Sequence, residues 1–263
     1  MKTTNAKSDR PIGRRLLIIL CWLALWQAVS LILHNDILLA GPVETILALL
    51  RLLPTGAFWA SLLSSFVRIV LGFLAGSAAG ILLAYLAHRK PLAADILAPL
   101  VTALKSIPVA SFIILALIWI GSTNLSLFIS FVVVFPILYL NTLEGLRSVD
   151  DKLVEMAEVY RVPTAAQLRY IYLPALYPFL VSALKLSLGM SWKCGVAAEV
   201  IGQPLLSIGN NLYRAKIYLS TSELLAWTVV IVLVSRGFEV LFLWLLKKIY
   251  PSAGARSDRQ KQA

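Results

Sequence analysis

Charged residues are scarce in this chain. Asp, Glu, Lys and Arg make up 14% of its 263 residues, whereas the apolar set makes up 59%. Soluble domains average about 25% charged and about 45–50% apolar residues, so a water-soluble fold, a disordered chain and a coiled coil are excluded. So many apolar side chains are accommodated in a lipid bilayer, and helices that span it satisfy their own backbone hydrogen bonds within the hydrocarbon. The composition therefore indicates an all-α integral membrane protein.

Cysteine and histidine, the residues that most often bind metals, are also scarce, with two of each in the chain. Cys21 and Cys194 both lie in long apolar runs, without a partner at metal-ligand spacing. His34 and His88 stand alone, and no apolar run carries paired carboxylates or an H-E-x-x-H pattern. The sequence thus predicts no metal site, no cofactor and no catalytic residues, which disfavours a membrane-embedded enzyme.

Long apolar runs are what the chain has instead. Six of them approach or exceed the length of about 20 residues that a helix needs to cross the membrane. They lie at 16–33, 62–87, 100–120, 125–143, 174–200 and 224–246. The first run, at 18 residues, is longer than a signal-peptide core, and it is interpreted as a retained helix. A count of five, with 100–143 as one interrupted span, is the alternative, but the polar stretch 121–124 favours six.

Basic residues are distributed unevenly between the loops that these spans define. Sixteen of the 24 Lys and Arg residues fall in the N-terminal segment, at 89–90, in the loop 144–173 and after residue 246. The opposite loops hold only Arg51, Arg214 and Lys216. Cytoplasmic loops are rich in Lys and Arg, so both termini are predicted to be cytoplasmic in a multi-pass protein of the cell membrane. The net charge of +11 is then explained by topology and membrane lipid, and no nucleic-acid partner is predicted.

The loop 144–173 carries helix signals. Ser148 or Asp150 can cap a helix start, the stretch 152–160 contains no helix breaker, and Pro163 ends it. Thr164 and Gln167 have the spacing of a capping box. A short helix, a turn and a second helix leading into the next span are predicted; on this pattern alone, an ordinary hairpin between two spans is an equal interpretation.

The residues of this loop resemble the "EAA" motif of ABC importer permeases, which reads Glu-Ala-Ala, three residues, Gly, nine residues and Ile-x-Leu-Pro. The spacing matches throughout, and the matching residues are Glu155, Met156, Ala157, Arg161, Ile171, Leu173 and Pro174. Two positions depart from the motif, since Met156 replaces an Ala and Arg161 replaces the Gly. The Gly would end the short helix in a left-handed conformation that a Cβ disfavours.

Other segments resemble the nitrate/sulfonate/taurine branch of the same permeases. They lie in the second to fifth spans, at Ser65 to Gly80, Lys105 to Gly121, Phe135 to Leu146 and Pro178 to Glu199. The resemblance implies a type I importer (MetI-like) fold with six transmembrane helices. It divides the chain into a cytoplasmic tail (1–15), a first helix with an outer segment (16–60), a permease core (61–246) and a second cytoplasmic tail (247–263).

The resemblance also implies partners and a function. Two permease subunits, on the simplest expectation a homodimer, would form the substrate pathway, and two ABC ATPase subunits would dock on the loop 144–173. An extracytoplasmic solute-binding protein would deliver a small anion (sulfonate, taurine, nitrate) or a thiamine-precursor-like molecule. The chain contains no Walker A sequence, so ATP hydrolysis is expected in a partner chain. A secondary transporter or channel without an ATPase is the alternative, but no internal repeat typical of such proteins is evident.

Charged residues inside the apolar runs are candidates for function because they are costly in lipid. Arg68 lies in the second span, and Lys185, Lys193 and Glu199 lie in the fifth. They are expected either to line a pathway suited to an anion or to pair with one another, for instance Glu199 with Lys193 or with Arg68. Glycines at 72, 76 and 80 form a stripe that favours close helix packing within the subunit over a dimer contact.

Overall fold

The fold is helical in a computed structural model that describes residues 12–35 and 37–249. The parts of the two predicted cytoplasmic tails at 1–11 and 250–263 lie outside the described residues. The helices are α1 (Ile12–Leu33), α2 (Pro42–Leu52), α3 (Gly56–Arg89), α4 (Pro91–Ser106), α5 (Val109–Ile120), α6 (Leu125–Arg147), α7 (Asp151–Val159), α8 (Thr164–Gln167), α9 (Leu173–Gly202), α10 (Ile208–Ile217) and α11 (Thr221–Ile249). A wide π-helical turn, Leu168–Tyr172, joins α8 to α9.

Within residues 12–35 and 37–249, five helical segments are long and apolar enough to cross a membrane, and they contain α1, α3, α6, α9 and α11. The predicted span at 100–120 is wrong as one helix, because α4 ends at Ser106 and α5 leaves it at an angle of 109°. Pro108 explains the break: it disfavours the helical conformation at the preceding residue, and Ile107 is extended with φ −73° and ψ 127°. Six spans result when the bent pair counts as one.

A stripe of glycines joins α3 to α6. Gly72 faces the backbone of Leu127, Gly76 faces Phe131, and Gly80 faces Leu138 closely enough that a Cβ would meet backbone or side-chain atoms. The expectation that this stripe packs within the subunit is confirmed. Since the facing residue numbers rise together, α3 and α6 run parallel, and their last residues, Arg89 and Arg147, lie towards the same end of the bundle.

The core is built on both sides of α6. On one side Phe73 of α3 and Val134 of α6 pack with Leu184 and Leu188 of α9. On the other side Val101 of α4 packs among residues of α3 and α6. Small buried residues between large ones let the helices approach closely, which is the main source of helix association where lipid surrounds them.

Helix α1 stands at the edge of this core. Most of its side chains are exposed, and its polar attachments lie near its C-terminal end. There the Trp26 indole donates to the carbonyl of Ala40 at 3.1 Å, and Ser30 donates to that of Leu39 at 3.0 Å. Both acceptors belong to the outer segment predicted to follow the first helix, where α2 forms a short amphipathic helix that begins at Pro42, directly after Gly41.

Candidate functional site

The segment that connects α6 to α9 begins with the short helix α7. Asp150 caps it, since its carboxylate accepts a 3.0 Å hydrogen bond from the backbone N–H of Lys152. Together with Asp151 in the first turn, this carboxylate also stabilises the positive end of the helix. The predicted helix and its cap at Asp150 are therefore confirmed.

Arg161 ends α7 in the left-handed conformation predicted for the motif glycine. Its φ is +49°. The N–H of Val162 donates to the carbonyl of Ala157 at 2.8 Å, and that of Arg161 donates to the carbonyl of Glu158 at 3.0 Å. These two bonds define a Schellman motif. The local fold of the motif is thus kept without its glycine, at the expense of a strained arginine.

The surface of α7 is divided between one buried face and a broad exposed one. Ala157 is fully buried and Val154 is half-buried, whereas every other residue of α7 is exposed. Ala157 therefore offers no exposed surface to a partner in this conformation. The exposed face carries the charged residues Asp151, Lys152 and Glu158. It also carries large apolar side chains, namely Leu153, Met156, Val159 and, just after the helix, Tyr160. Glu155 is exposed beside them.

The second half of the segment differs from its prediction at one point. Thr164 is the first residue of α8 and not its N-cap, as the predicted capping box requires. The N-cap position is occupied by Pro163, whose side chain makes no capping hydrogen bond. Gln167 instead donates to the carbonyl of Val162 at 2.9 Å, which ties α8 to the end of α7. Ile171, Leu173 and Pro174 are half-buried and carry the chain from the π-helical turn into α9.

A buried carboxylate lies at the other end of α9. The Glu199 side chain is fully buried, and its Oε2 accepts hydrogen bonds from Ser65 Oγ at 2.6 Å and from the N–H of Gly209 at 3.2 Å. Its Oε1 lies 3.8 Å from Nη1 of Arg68. Of the two pairings expected for Glu199, the structure has the one with Arg68 and not the one with Lys193.

The same cluster fixes the first turn of α10. Ser65 Oγ accepts a 2.9 Å hydrogen bond from the N–H of Ile208 while donating to Glu199. Ser207 is the N-cap, accepting from Asn210 N–H at 3.0 Å. The backbone of Gly209 lies against Glu199 so closely that a Cβ could not fit. Hence α10 is held against α3 by the Ser65 hydroxyl and against α9 by the Glu199 carboxylate, which accept from two of its free N–H groups, while its own cap Ser207 satisfies a third.

Sequence reasoning missed this arrangement. A serine in an apolar run gives no sign of its partner, and Gly209 contributes a backbone group that no side-chain pattern reveals. The spacing of Ser207 and Asn210 just before a polar helix is the one signal that indicated a cap.

Lys185 and Lys193 lie on the exposed side of α9, away from the Glu199 cluster. Gly189 is midway between them and also exposed, with open space where a Cβ would stand. Lys185 is thus exposed, whereas Glu199 further along the same helix is fully buried. In α11, Arg236 and Glu239 form an i,i+3 ion pair at 2.7 Å.

Comparison with known proteins places this geometry in context. Residues 72–253 match the family described as "Binding-protein-dependent transport system inner membrane component". The chain is 30% identical to a putative aliphatic sulfonates transport permease protein of Bacillus subtilis, over 86% of this chain and 83% of that protein. It is 26% identical to the taurine transport system permease protein of Escherichia coli, over 92% and 89%.

Two further similarities agree with these. A bicarbonate transport system permease protein of Synechococcus elongatus is 27% identical over 75% of this chain and 71% of that protein. A solved structure of the MetNI methionine ABC transporter in inward-facing conformations superposes with a TM-score of 0.51 and 18% identity, covering 74% of this chain and 93% of that one. The structural similarity identifies the MetI-like fold.

Proposed function

Because this chain belongs to the family of binding-protein-dependent transport system inner membrane components, in the nitrate/sulfonate/taurine-like branch of ABC permeases, we propose that it forms the substrate pathway of an ATP-driven importer and docks an ATPase through the loop 144–173. It is a multi-pass membrane subunit, and ATP hydrolysis belongs to a separate subunit of such transporters. The pathway, the docking loop and the substrate are the parts proposed here.

The exposed surface of α7 is the observation that carries the docking proposal. Leu153, Met156, Val159 and Tyr160 expose between 46% and 79% of their surface. Apolar side chains on a short helix outside the spans would face water, and contiguous exposed apolar surface marks an interaction site. Glu155 and Arg161 flank this surface with charge, while Ala157 positions the helix from its buried face.

The half-buried residues Ile171, Leu173 and Pro174 have a transmitting role in this proposal. They connect the docking segment to α9, the helix that carries Lys185, Lys193 and Glu199. A rigid displacement of α7 on ATP binding would pass through them into α9 and alter access to the pathway from either side of the membrane.

Lys185 and Lys193 are proposed to line that pathway. An exposed ammonium on a spanning helix is costly in hydrocarbon, so both side chains require water, a partner chain or a substrate beside them. Two cations flanking an open glycine favour an anion. The relatives named for sulfonates, taurine and bicarbonate support a small anion over a thiamine-precursor-like molecule. Arg68 and Glu199 are assigned the structural role, as an internal ion pair.

The proposed assembly contains two copies of this chain, two ATPases on the cytoplasmic side and one solute-binding protein outside. Both termini would lie in the cytoplasm, as the basic residues predict.

The test is reconstitution. The chain would be tagged, isolated in mild detergent from its native host, and its partners identified by mass spectrometry. Co-purification of an ATPase with Walker motifs is expected, and liposomes containing the complex should accumulate a labelled small anion only with ATP and binding protein. A stable complex without any ATPase, or uptake that needs no ATP, would contradict the proposal.

A further inference from the structure

The short helix α2, which follows α1, turns large apolar side chains away from the protein. The residues at positions 43, 46, 47 and 50 have the i, i+3, i+4, i+7 spacing of one helix face. They expose between 49% and 57% of their surface, and we call them the α2 stripe: Val43, Ile46, Leu47 and Leu50. In water such a face would be turned inward, so the stripe requires an apolar neighbour.

The opposite face of α2 attaches the helix to the bundle. Thr45 and Ala48 are buried on this face. Leu49 and Leu52, which are half-buried, pack against a cluster that contains Trp227 of α11. This packing fixes the rotation of α2 about its axis, so the outward direction of the α2 stripe is set by the fold.

Exposed apolar residues connect the α2 stripe to a membrane span along the chain. Leu31, Ile32 and Leu33 end α1, and Ile37 and Leu38 precede α2; these five side chains expose between 45% and 76% of their surface. Because α1 is long and apolar enough to cross a membrane, the exposed residues at its end face lipid. The apolar surface therefore continues from a lipid-facing span to α2.

Two tryptophans hold the backbone at the two ends of α2. The Trp26 indole donates to the carbonyl of Ala40 at 3.1 Å, two residues before the helix starts, and the Trp59 indole donates to that of Leu53 at 2.9 Å, one residue after it ends. Trp59 is itself 56% exposed. Tryptophan is enriched where a membrane meets water, since its ring is apolar and its N–H donates a hydrogen bond. Both ends of α2 thus have the residue type of that interface.

The charged residues of α2 lie together on one edge of the stripe. Glu44 and Arg51 are seven positions apart, so at about 100° per residue they are within about 20° of each other and about a quarter turn from Val43. A helix with charge along one edge and an apolar face beside it suits a position in the plane of a membrane surface, with the charged edge towards water. One acid and one base leave α2 without net charge, so zwitterionic lipid suffices as its neighbour.

We propose that α2 is an interfacial helix, which lies in the membrane surface where α1 ends and inserts the α2 stripe among the acyl chains of that leaflet. Its 11 residues extend for about 16 Å, about half of the roughly 30 Å that a span must cross, so it enters the bilayer without traversing it. The inference requires that the chain is a multi-pass membrane subunit, and it is independent of the docking surface, the pathway and the substrate proposed above.

The test measures which small molecules reach the stripe in the full-length chain, held in phosphatidylcholine nanodiscs. Both native cysteines are replaced by Cys21→Ala and Cys194→Ala, and a nitroxide is attached to Leu47→Cys or Leu50→Cys. Power-saturation EPR then gives its collision rates with oxygen, which concentrates in hydrocarbon, and with nickel ethylenediaminediacetate, a polar chelate that hydrocarbon excludes. Size-exclusion profiles identify a variant that fails to fold, in which case Ile46→Cys on the same stripe takes its place.

Three labelled controls give the scale. Leu20→Cys, 64% exposed within α1, is the lipid reference, and Glu158→Cys, exposed on α7, is the water reference. The ratio of oxygen to nickel collisions at both stripe positions should exceed the ratio at Glu158 severalfold, and Arg51→Cys on the charged edge should meet nickel more often than Leu50→Cys. A ratio at the stripe equal to that at Glu158 would place it in water. Protection from both reagents would place it under protein, a second copy of the chain included, and either result would overturn the proposal.

Discussion

The hydroxyl of Ser65 donates a 2.6 Å hydrogen bond to Oε2 of Glu199, across 134 positions of sequence. It also accepts from the N–H of Ile208 at 2.9 Å. One side-chain oxygen therefore joins α3, α9 and α10. Because Glu199 is fully buried, its partners determine whether the carboxylate is tolerated there at all.

Glu199→Ala is expected to be among the most destabilising single changes. It leaves Arg68 and the N–H of Gly209 without their acceptor, and breaking a buried ion pair costs about 3–5 kcal/mol. Ser65→Ala should cost about 1–3 kcal/mol, the penalty for unsatisfied buried groups. Thermal unfolding in detergent, monitored by size-exclusion chromatography, measures the loss of stability in both variants. Ser182→Ala, at an exposed position of α9, is the control, and an equal loss in all three variants would contradict the role of the cluster.

Gly209→Ala tests the close approach of α10 to α9. A Cβ at this position would overlap Glu199, and overpacking of this kind costs about 1–3 kcal/mol. Gly189→Ala is the matched control, since nothing lies within 4 Å of its Cβ position and alanine raises helix propensity by about 1 kcal/mol. The melting temperature should fall for the first variant and hold or rise for the second. Equal melting temperatures would show that α10 moves away from Glu199 freely.

Arg161→Gly should restore the motif residue without loss of stability. The left-handed φ of +49° costs a residue with a Cβ about 1–2 kcal/mol, which glycine avoids, although its greater freedom in the unfolded chain offsets part of the gain. Arg169→Gly, within the helical segment that follows, should instead lower the melting temperature. A lower melting temperature for Arg161→Gly than for Arg169→Gly would mean that the arginine side chain itself stabilises the turn.

Met156→Asp and Glu155→Lys test the docking surface. Met156→Asp would bury an added carboxylate against an apolar partner, and Glu155→Lys would reverse the charge beside it. Both should reduce substrate-stimulated ATPase activity severalfold in the reconstituted complex, because an unpaired charge in an interface costs several kcal/mol. Neither change alters the packing of the subunit, since both residues are exposed. Leu205→Asp, at a residue that is 83% exposed on the connection before α10, is the control. Full stimulation in both α7 variants would remove the assignment.

Lys185→Gln and Lys193→Gln test the pathway. Each removes one exposed cation from α9, and ATP-driven uptake of a labelled anion should fall by about fivefold to tenfold if the ammonium group lowers the energy of the anion by about 1 kcal/mol or more. Lys90→Gln should not reduce uptake. Unchanged uptake in the double variant would assign both lysines to the lipid or to a partner surface.

How much of this molecule could be predicted from sequence depends on the range of the interactions concerned. The short helix α7 follows from neighbouring residues and is predicted correctly, and Asp150 is one of the two caps expected for it. Its left-handed end is expected only of the motif glycine, and the sequence does not predict that Arg161 adopts the same conformation. The break at Ile107 was also signalled locally, by Pro108, but the length of the apolar run concealed it. By contrast, Ser65, Glu199 and Gly209 meet through tertiary packing, and Ala157 is the one fully buried residue of α7. No periodicity within one helix specifies either outcome.

Because α3 and α6 pack in parallel, the chain between them must return across the bilayer. Two parallel helices that both traverse the bilayer enter it from the same face, so the intervening residues must bring the chain back through its full thickness. The helices available for this return are α4 and α5. Their 109° corner therefore belongs to a complete crossing and not to a re-entrant loop.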